Sequence, residues 1–469
     1  MKKLLFSFTL LLSMLMAACG DNTEDAPNTG LDNILEKDTL FVLTGYNAYS
    51  YFIYKGQPMG FEHDLVKKLG EHLGITPVFI LVNSISDMFT LLDEKKGDLI
   101  AFNLTITKER VERIAFVNYY NTTKQVLVQR KPDNWQRMMT HQIEKELIRD
   151  PVDLIGKTIV VRSASSFIPR LKNLSEEIGG DINIVEAEPE LTIEELIEQV
   201  ANGEIDYTIS DENIALLNEA SHNNIDVKTD ISLSQRIAWG VRKSSTELLD
   251  TINYWLDSIK STEYFAVTYN RYYKNRYAYK RRVTSEYLLL KGGKISGYDE
   301  LIKESAQKLN WDWRLMTSQM YQESQFKPNV KSWAGAVGLM QLLPSTAKMY
   351  GITNLYDPKS NIKAGTKFLI YLDNYWSEFI EDSTEKIKFV LASYNVGRGH
   401  IDDARRLAEK YGANPNVWKD NVEFHLLQKS KPKYYNDEVV RNGYCRGKET
   451  VKYVREIFER YEHYKKFIE

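Results

Sequence analysis

Glu323 lies in the stretch Tyr321-Gln322-Glu323-Ser324-Gln325-Phe326-Lys327-Pro328, and its position is chemically unusual. Trp313, Met316 and Met320 precede it at spacings of three and four, which predicts one apolar face on a helix over 313–323. Glu323 continues that stripe. Burying an unpaired carboxylate is costly, so such a side chain holds its proton more tightly than a free glutamate. A proton retained near neutral pH is what a general acid needs. The alternative is a side chain turned to the helix edge, solvated or salt-bridged, since helix ends drift in register. Asp312 also lies near this face. Its place at the helix start marks it as a cap, and eleven residues at about 1.5 Å each put it too far away to pair with Glu323.

The elements around Glu323 are helical. A helix is expected over 298–309, then a glycine-bearing loop, Gly335-Ala336-Val337-Gly338-Leu339-Met340-Gln341, whose glycines let backbone approach a ligand. Ser345 is expected to cap a short helix over 346–350. A further helix over 387–394 stops at Gly397, and an amphipathic helix over 449–461 closes the domain. Four pieces of this region resemble the lytic transglycosylase family with a soluble-lytic-transglycosylase-type, lysozyme-like domain. The E-S-x-F-x-P element is met by Glu323, Ser324, Phe326 and Pro328. The S-x-x-G-A-x-G-L-M-Q element is met from Ser332 to Gln341, A-x-Y-N-x-G by Ala392, Tyr394, Asn395 and Gly397, and E-T-x-x-Y-V by Glu449, Thr450, Tyr453 and Val454. Val330 stands where the family usually has alanine, an apolar-for-apolar change.

The resemblance implies a catalytic domain over 295–469 with Glu323 as lone acid and base. Ser332 would bond near an N-acetyl group. Met340, Gln341, Tyr394 and Asn395 would line the cleft, and Tyr453 would support Glu323; packing is the plain alternative for Met340 and Tyr453. The implied reaction is non-hydrolytic cleavage of peptidoglycan to 1,6-anhydromuramoyl products. A binding protein whose lysozyme-like domain merely holds peptidoglycan is the alternative, against which an intact Glu323 argues.

The first half alternates strand and helix, the pattern of an α/β layer architecture. Strands are expected at 39–44, 78–82 and 98–102, with helices at 61–73 and 88–92. A second run has strands at 158–161 and 205–210, and helices from Ser165 onward, at 193–200 and at 213–218. Between them, 131–151 reads as irregular. Two such lobes joined by crossovers form a hinged clamp. Gly60-Phe61-Glu62-His63-Asp64-Leu65 and the run from Asp98 to Arg110 resemble bacterial extracellular solute-binding proteins of the amino-acid-binding family. That likeness implies that Arg110, with Thr105, grips an amino-acid carboxylate, which suits a planar guanidinium fork. Ser166 would offer an anion site at a helix start, and Asp211 would hold the ligand's ammonium. A solvated helix-start arginine is the plain alternative for Arg110. Tyr46, Tyr49 and Tyr51 are candidate pocket walls or core aromatics. The expected fold is thus a two-lobed, periplasmic-binding-protein-like α/β domain over 38–268, a linker over 269–294, and the mainly α lysozyme-like domain.

With 469 residues, 43% hydrophobic and 27% charged, the chain has ordinary globular chemistry in about two to four domains. A net charge of -3 argues against a general nucleic-acid binder. The basic, Tyr-rich segment 269–282 therefore reads as a solvated or interdomain helix. Residues 1–18 form a signal segment, with Lys2 and Lys3 before an apolar stretch at 4–16 that is too short for a comfortable span. It ends Ala17-Ala18-Cys19-Gly20, which resembles a bacterial lipobox with Cys19 as the lipidated residue. Residues 19–37 then form a polar tether, and the protein is expected as an outer-membrane lipoprotein facing the periplasm. Cys445 is the other of two cysteines, so the cores rather than disulfides must hold the chain together. No cofactor or metal is expected. The expected partners are peptidoglycan, a small amino-acid or muropeptide ligand, and the membrane through the lipid.

Overall fold

The computed structural model describes residues 30–289 and 293–468. Cys19 and the apolar stretch 4–16 lie outside the described residues. Among those described, no helix is long and apolar enough to cross a membrane.

The first lobe is a six-stranded sheet. Strand β1 (Thr39–Thr44) lies parallel to β2 (Thr76–Leu81) and β3 (Leu99–Thr105), and β4 (Gln235–Val241) runs antiparallel to β3. Ala115–Phe116 and Asn121–Thr123 pair with β4 to complete it. Leu40, Val42 and Leu43 are fully buried because helices cover both faces. Helix α1 (Phe61–Leu73) puts Phe61, Leu65, Val66 and Leu69 on one face, and Ile85–Asp93 puts Ile85, Met88, Phe89 and Leu92 on the other. A hairpin of Phe52–Tyr54 and Gln57–Met59, paired on its other side with Leu288–Leu289, packs on this lobe with Phe52 and Ile53 buried.

The second lobe has an antiparallel sheet in which β5 (Gln125–Arg130) is central, flanked by Tyr207–Asp211 and Ile225–Asp230. A parallel pair, Thr158–Val161 and Asn183–Glu186, adds to it. The chain passes between lobes twice, near 124 and between 230 and 235. The stretch 131–151, expected to be irregular, contains a helix at Thr140–Glu146. Segment 269–294, expected as a linker, continues into the same core. Tyr272, Tyr273, Tyr279 and Arg282 are buried there, so its Tyr-rich face is packed rather than solvated.

The C-terminal domain is helical around a second core. Helix α2 (Trp313–Ser324) starts at Asp312, whose carboxylate accepts from the Arg314 backbone N–H at 2.9 Å, the expected cap. The helix is buried on most sides rather than one: Thr317, Ser318 and Gln319 are as hidden as Met316 and Met320. It is a central helix, with Trp313 and Phe326 touching both cores. The short helix Pro344–Met349 has no side-chain cap, and Ser345 lies inside its first turn because Pro344 at the start already fixes the entry. The helix Asp299–Leu309 and the closing helix α5 (Gly447–Phe467) pack on α2, while helix α3 (Pro358–Ser377) packs on Asp299–Leu309 and helix α4 (Ser383–Val396) on α5. The far end of α5 docks on the first lobe. His463 Nδ1 is 2.8 Å from the Tyr51 hydroxyl, Tyr464 donates to the Gly56 carbonyl at 3.0 Å, and Phe467 stacks on Tyr46.

Candidate functional site

Glu323 sits in the last turn of α2, half-buried, and the Tyr453 hydroxyl of α5 donates to its Oε1. Burial pushes its carboxyl up to about 8, against the opposing pull of the Tyr453 bond. No second carboxyl figures among the groups acting on it. Burial also raises the Tyr453 phenol, so it remains a donor at any physiological pH. Gln319, one turn back on α2 and fully buried, reaches the same hydroxyl with Nε2 at 3.5 Å. That residue carried no signal in the sequence, because an amide on a helix reads as surface.

The glycine loop is a tight, braced structure. Gly338 has φ of +82°, and a Cβ there would stand 2.2 Å from the Asn361 side chain and 2.4 Å from the Leu355 carbonyl. The close approach that this glycine permits is to its own domain, not to open cleft. Asn361, fully buried at the start of α3, accepts from Met340 N–H at 2.7 Å and donates to Val337 O and Leu355 O. Met340 itself is fully buried and does not line the cleft: its side chain packs over Gly365. Its carbonyl accepts from the Tyr394 hydroxyl at 2.6 Å. The Gln341 amide donates to Gly338 O and Val330 O, so both its hydrogens brace the loop rather than face a substrate. Ser332 is half-buried and its hydroxyl accepts from Ala336 N–H at 3.0 Å. Tyr394 is placed beside Glu323, whose charge helps raise its phenol after burial. Asn395 is exposed, with its carbonyl oxygen taking the Thr450 hydroxyl at 2.7 Å. Thr450 thereby ties α5 to the end of α4.

In the clamp, Thr105, Arg110, Ser166 and Asp211 meet around one cavity of about 40 Å³, walled also by Tyr49, Asn103 and Arg162. Ser166 donates to the Thr105 hydroxyl at 3.1 Å across the lobes and accepts from Gln125 at 3.0 Å. Its hydroxyl does not cap the following helix, Phe167–Ile178. Asn103 donates to Asp211 Oδ2 at 2.8 Å, while Asp211 Oδ1 is buried without a partner. Burial raises Asp211 to about 7 despite the Arg110 charge, and lowers Arg110 to about 10. The Arg110 fork is partly exposed but held. It donates to Thr105 O at 2.9 Å and Ala164 O at 3.1 Å, a link that closes one lobe on the other. Tyr49 lines this cavity, whereas Tyr46 and Tyr51 contact α5. Arg162, not expected from sequence, also lines it. Glu194 lines a separate cavity of about 630 Å³, and burial pushes it to about 7.

Residues 39–275 match the family "Bacterial extracellular solute-binding proteins, family 3", and residues 300–417 match "Transglycosylase SLT domain". A protein named membrane-bound lytic murein transglycosylase F from Desulfosudis oleivorans is 35% identical over 429 residues, covering 92% of this chain and 90% of that protein. Proteins of the same name from Pseudomonas fluorescens (31% identical, 96% of this chain and 88% of that protein) and Photobacterium profundum (32%, 98% and 85%) are similar along the same length. Among solved structures, holo ArgBP from T. maritima aligns at 24% identity over 50% of this chain and 97% of that one, with a TM-score of 0.42. The chain belongs to the membrane-bound lytic murein transglycosylase F family: a solute-binding domain joined to a lytic transglycosylase domain.

Proposed function

We propose that this protein cuts peptidoglycan between N-acetylmuramic acid and N-acetylglucosamine without water, leaving a 1,6-anhydromuramoyl end. The observation that carries this is a half-buried Glu323 held protonated near neutral pH, with Tyr453 as its hydroxyl partner and no second carboxyl acting on it. A hydrolase of the usual kind needs two carboxyl groups. Here Glu323 protonates the glycosidic oxygen as the C1–O bond breaks, and the N-acetylglucosamine leaves with that proton on its hydroxyl. The resulting carboxylate then takes the proton of the muramic C6 hydroxyl as O6 bonds to C1. The proton returns to Glu323 and the site is reset. Holding the substrate's own hydroxyl near C1 replaces a positioned water. Tyr453, donating to Oε1, stabilises the transient carboxylate and leaves Oε2 for the substrate.

The clamp serves as a sensor for an amino acid or muropeptide, with Arg110 and Thr105 for the carboxylate, Ser166 beside them and Asp211 for the ammonium. For the ligand to enter, Arg110 must exchange its two carbonyl partners for the ligand, which loosens the link between lobes. The route to the active site is short. The α5 helix bears Tyr453 and, about 16 Å further along at 1.5 Å per residue, Tyr464 on the first-lobe hairpin. Gly56 in that hairpin also lies against Phe326, three residues beyond Glu323. A lipid on Cys19 would keep the domains at the outer membrane, facing the wall in the periplasm.

Glu323→Gln tests the catalytic reading. Release of muropeptides from sacculi is expected to be lost while the variant keeps a cooperative thermal unfolding transition. Substantial release by that variant would remove Glu323 from its role, and no release by the wild type would favour a domain that only holds peptidoglycan.

A further inference from the structure

A row of aromatic rings leads away from Glu323 along α3. Tyr394, beside Glu323, has its ring centroid 5.2 Å from that of Phe368. Phe368 and Tyr371, three residues apart on one face of α3, stack at 6.3 Å with their planes 13° apart. Tyr350 lies within electrostatic reach of both Tyr371 and Tyr394. The row ends in the open, since Tyr371 is 46% exposed.

The outer ring is held rather than loose. Arg398 donates to the Tyr371 hydroxyl at 2.6 Å, while its guanidinium sits 4.2 Å above the Tyr375 ring and 3.7 Å from Asp402. Tyr375 in turn donates to Asp402 at 2.9 Å. An exposed aromatic with its orientation fixed has already lost the freedom that a ligand would otherwise have to remove.

We propose that Tyr371 is a stacking site for a sugar ring of the glycan strand, beyond the pair of sugars that is cut. This rests on the transglycosylase reading above and adds a subsite to it. A row of spaced rings fits a polymer of spaced rings, whose C–H faces pack on aromatic faces. The stem peptide is a poorer occupant. Its carboxylates would seek Arg398, whose charge is already paired with Asp402 and whose fork is taken by Tyr371 and Tyr375.

The test titrates full-length Glu323→Gln with peptide-free N-acetylglucosamine oligomers from disaccharide to hexasaccharide, by calorimetry. Affinity is expected to rise with length. In Glu323→Gln/Tyr371→Ala the gain for the longest oligomers should fall by about three- to tenfold, while Tyr371→Trp keeps it. With Glu323 intact, Tyr371→Ala should lose activity on long strands through KM rather than kcat. Arg398→Gln, which frees the ring but leaves it in place, should lose part of the gain. Equal affinities for every length with and without the Tyr371 ring would overturn the proposal, as would a loss of binding that is the same for disaccharide and hexasaccharide. Wild-type digestion of sacculi is read separately, so failure of the transglycosylase reading appears there and not in the titration.

Discussion

At the scale of residues, the chemistry turns on one proton. Glu323 ordinarily titrates near 4.5 and here near 8, because burial outweighs the Tyr453 bond. The acid step needs the protonated form, so cleavage should fall as pH rises through about 8. Removing the Tyr453 donor removes the one interaction that favours the carboxylate. Tyr453→Phe is therefore expected to move the alkaline limb of kcat/KM to higher pH while lowering kcat by about tenfold to a hundredfold. A limb that stays in place would mean that Tyr453 does not act through Glu323. The same shift couples to stability. A proton held more tightly in the folded state stabilises it fully below pH 4.5, and that contribution drains away as pH rises through about 8. Glu323→Gln cannot titrate, so its Tm relative to wild type should climb between pH 4.5 and 8, as read by calorimetry at several pH values.

At the scale of elements, Glu323 was legible in sequence but its helix was misread. The 313, 316, 320, 323 spacing predicts one apolar face, whereas α2 is buried on most sides and hides Thr317, Ser318 and Gln319 too. Two of these find partners locally and across to α5: Thr317 donates to Trp313 O and Ser318 to Ile457 O. Period alone does not reveal such partners. The strands and helices of the first lobe were legible because both kinds of period are strong there; 39–44 and 61–73 match residue for residue. The glycine loop was legible as a motif but not as a structure. Met340 and Gln341 read as cleft residues, yet burial and backbone bonding make them braces. The brace they share with Asn361 gives a measurable expectation. Asn361→Ala leaves the Met340 N–H and the Leu355 carbonyl without partners in a buried place and Val337 O with Leu342 N–H alone. A loss of about 2–4 kcal/mol in urea unfolding is expected. A change within about 0.5 kcal/mol would show the loop to be self-supporting.

At the scale of the whole molecule, the two halves are linked through α5, whose ends contact Glu323 and the first-lobe hairpin. The clamp in this closed form has little free space, and Asp211 Oδ1 is buried there without a partner. Asp211, raised to about 7, must be ionised to hold an ammonium. Binding of an ammonium-bearing ligand should therefore release a proton below about pH 7 and weaken as pH falls through that value. Calorimetry with peptidoglycan stem peptides in buffers of different ionisation enthalpy reads this directly, with Arg110→Ala as the variant expected to lose the heat. Identical weak heats from both proteins would speak against the sensor.

The central claim is that Glu323 acts alone and the substrate's own hydroxyl takes the place of water. Digestion of purified sacculi in heavy-oxygen water, with products read by mass, tests it most directly. Released muropeptides are expected one water lighter than hydrolysis products and free of solvent oxygen. Products of full hydrolysed mass carrying the heavy oxygen would contradict it.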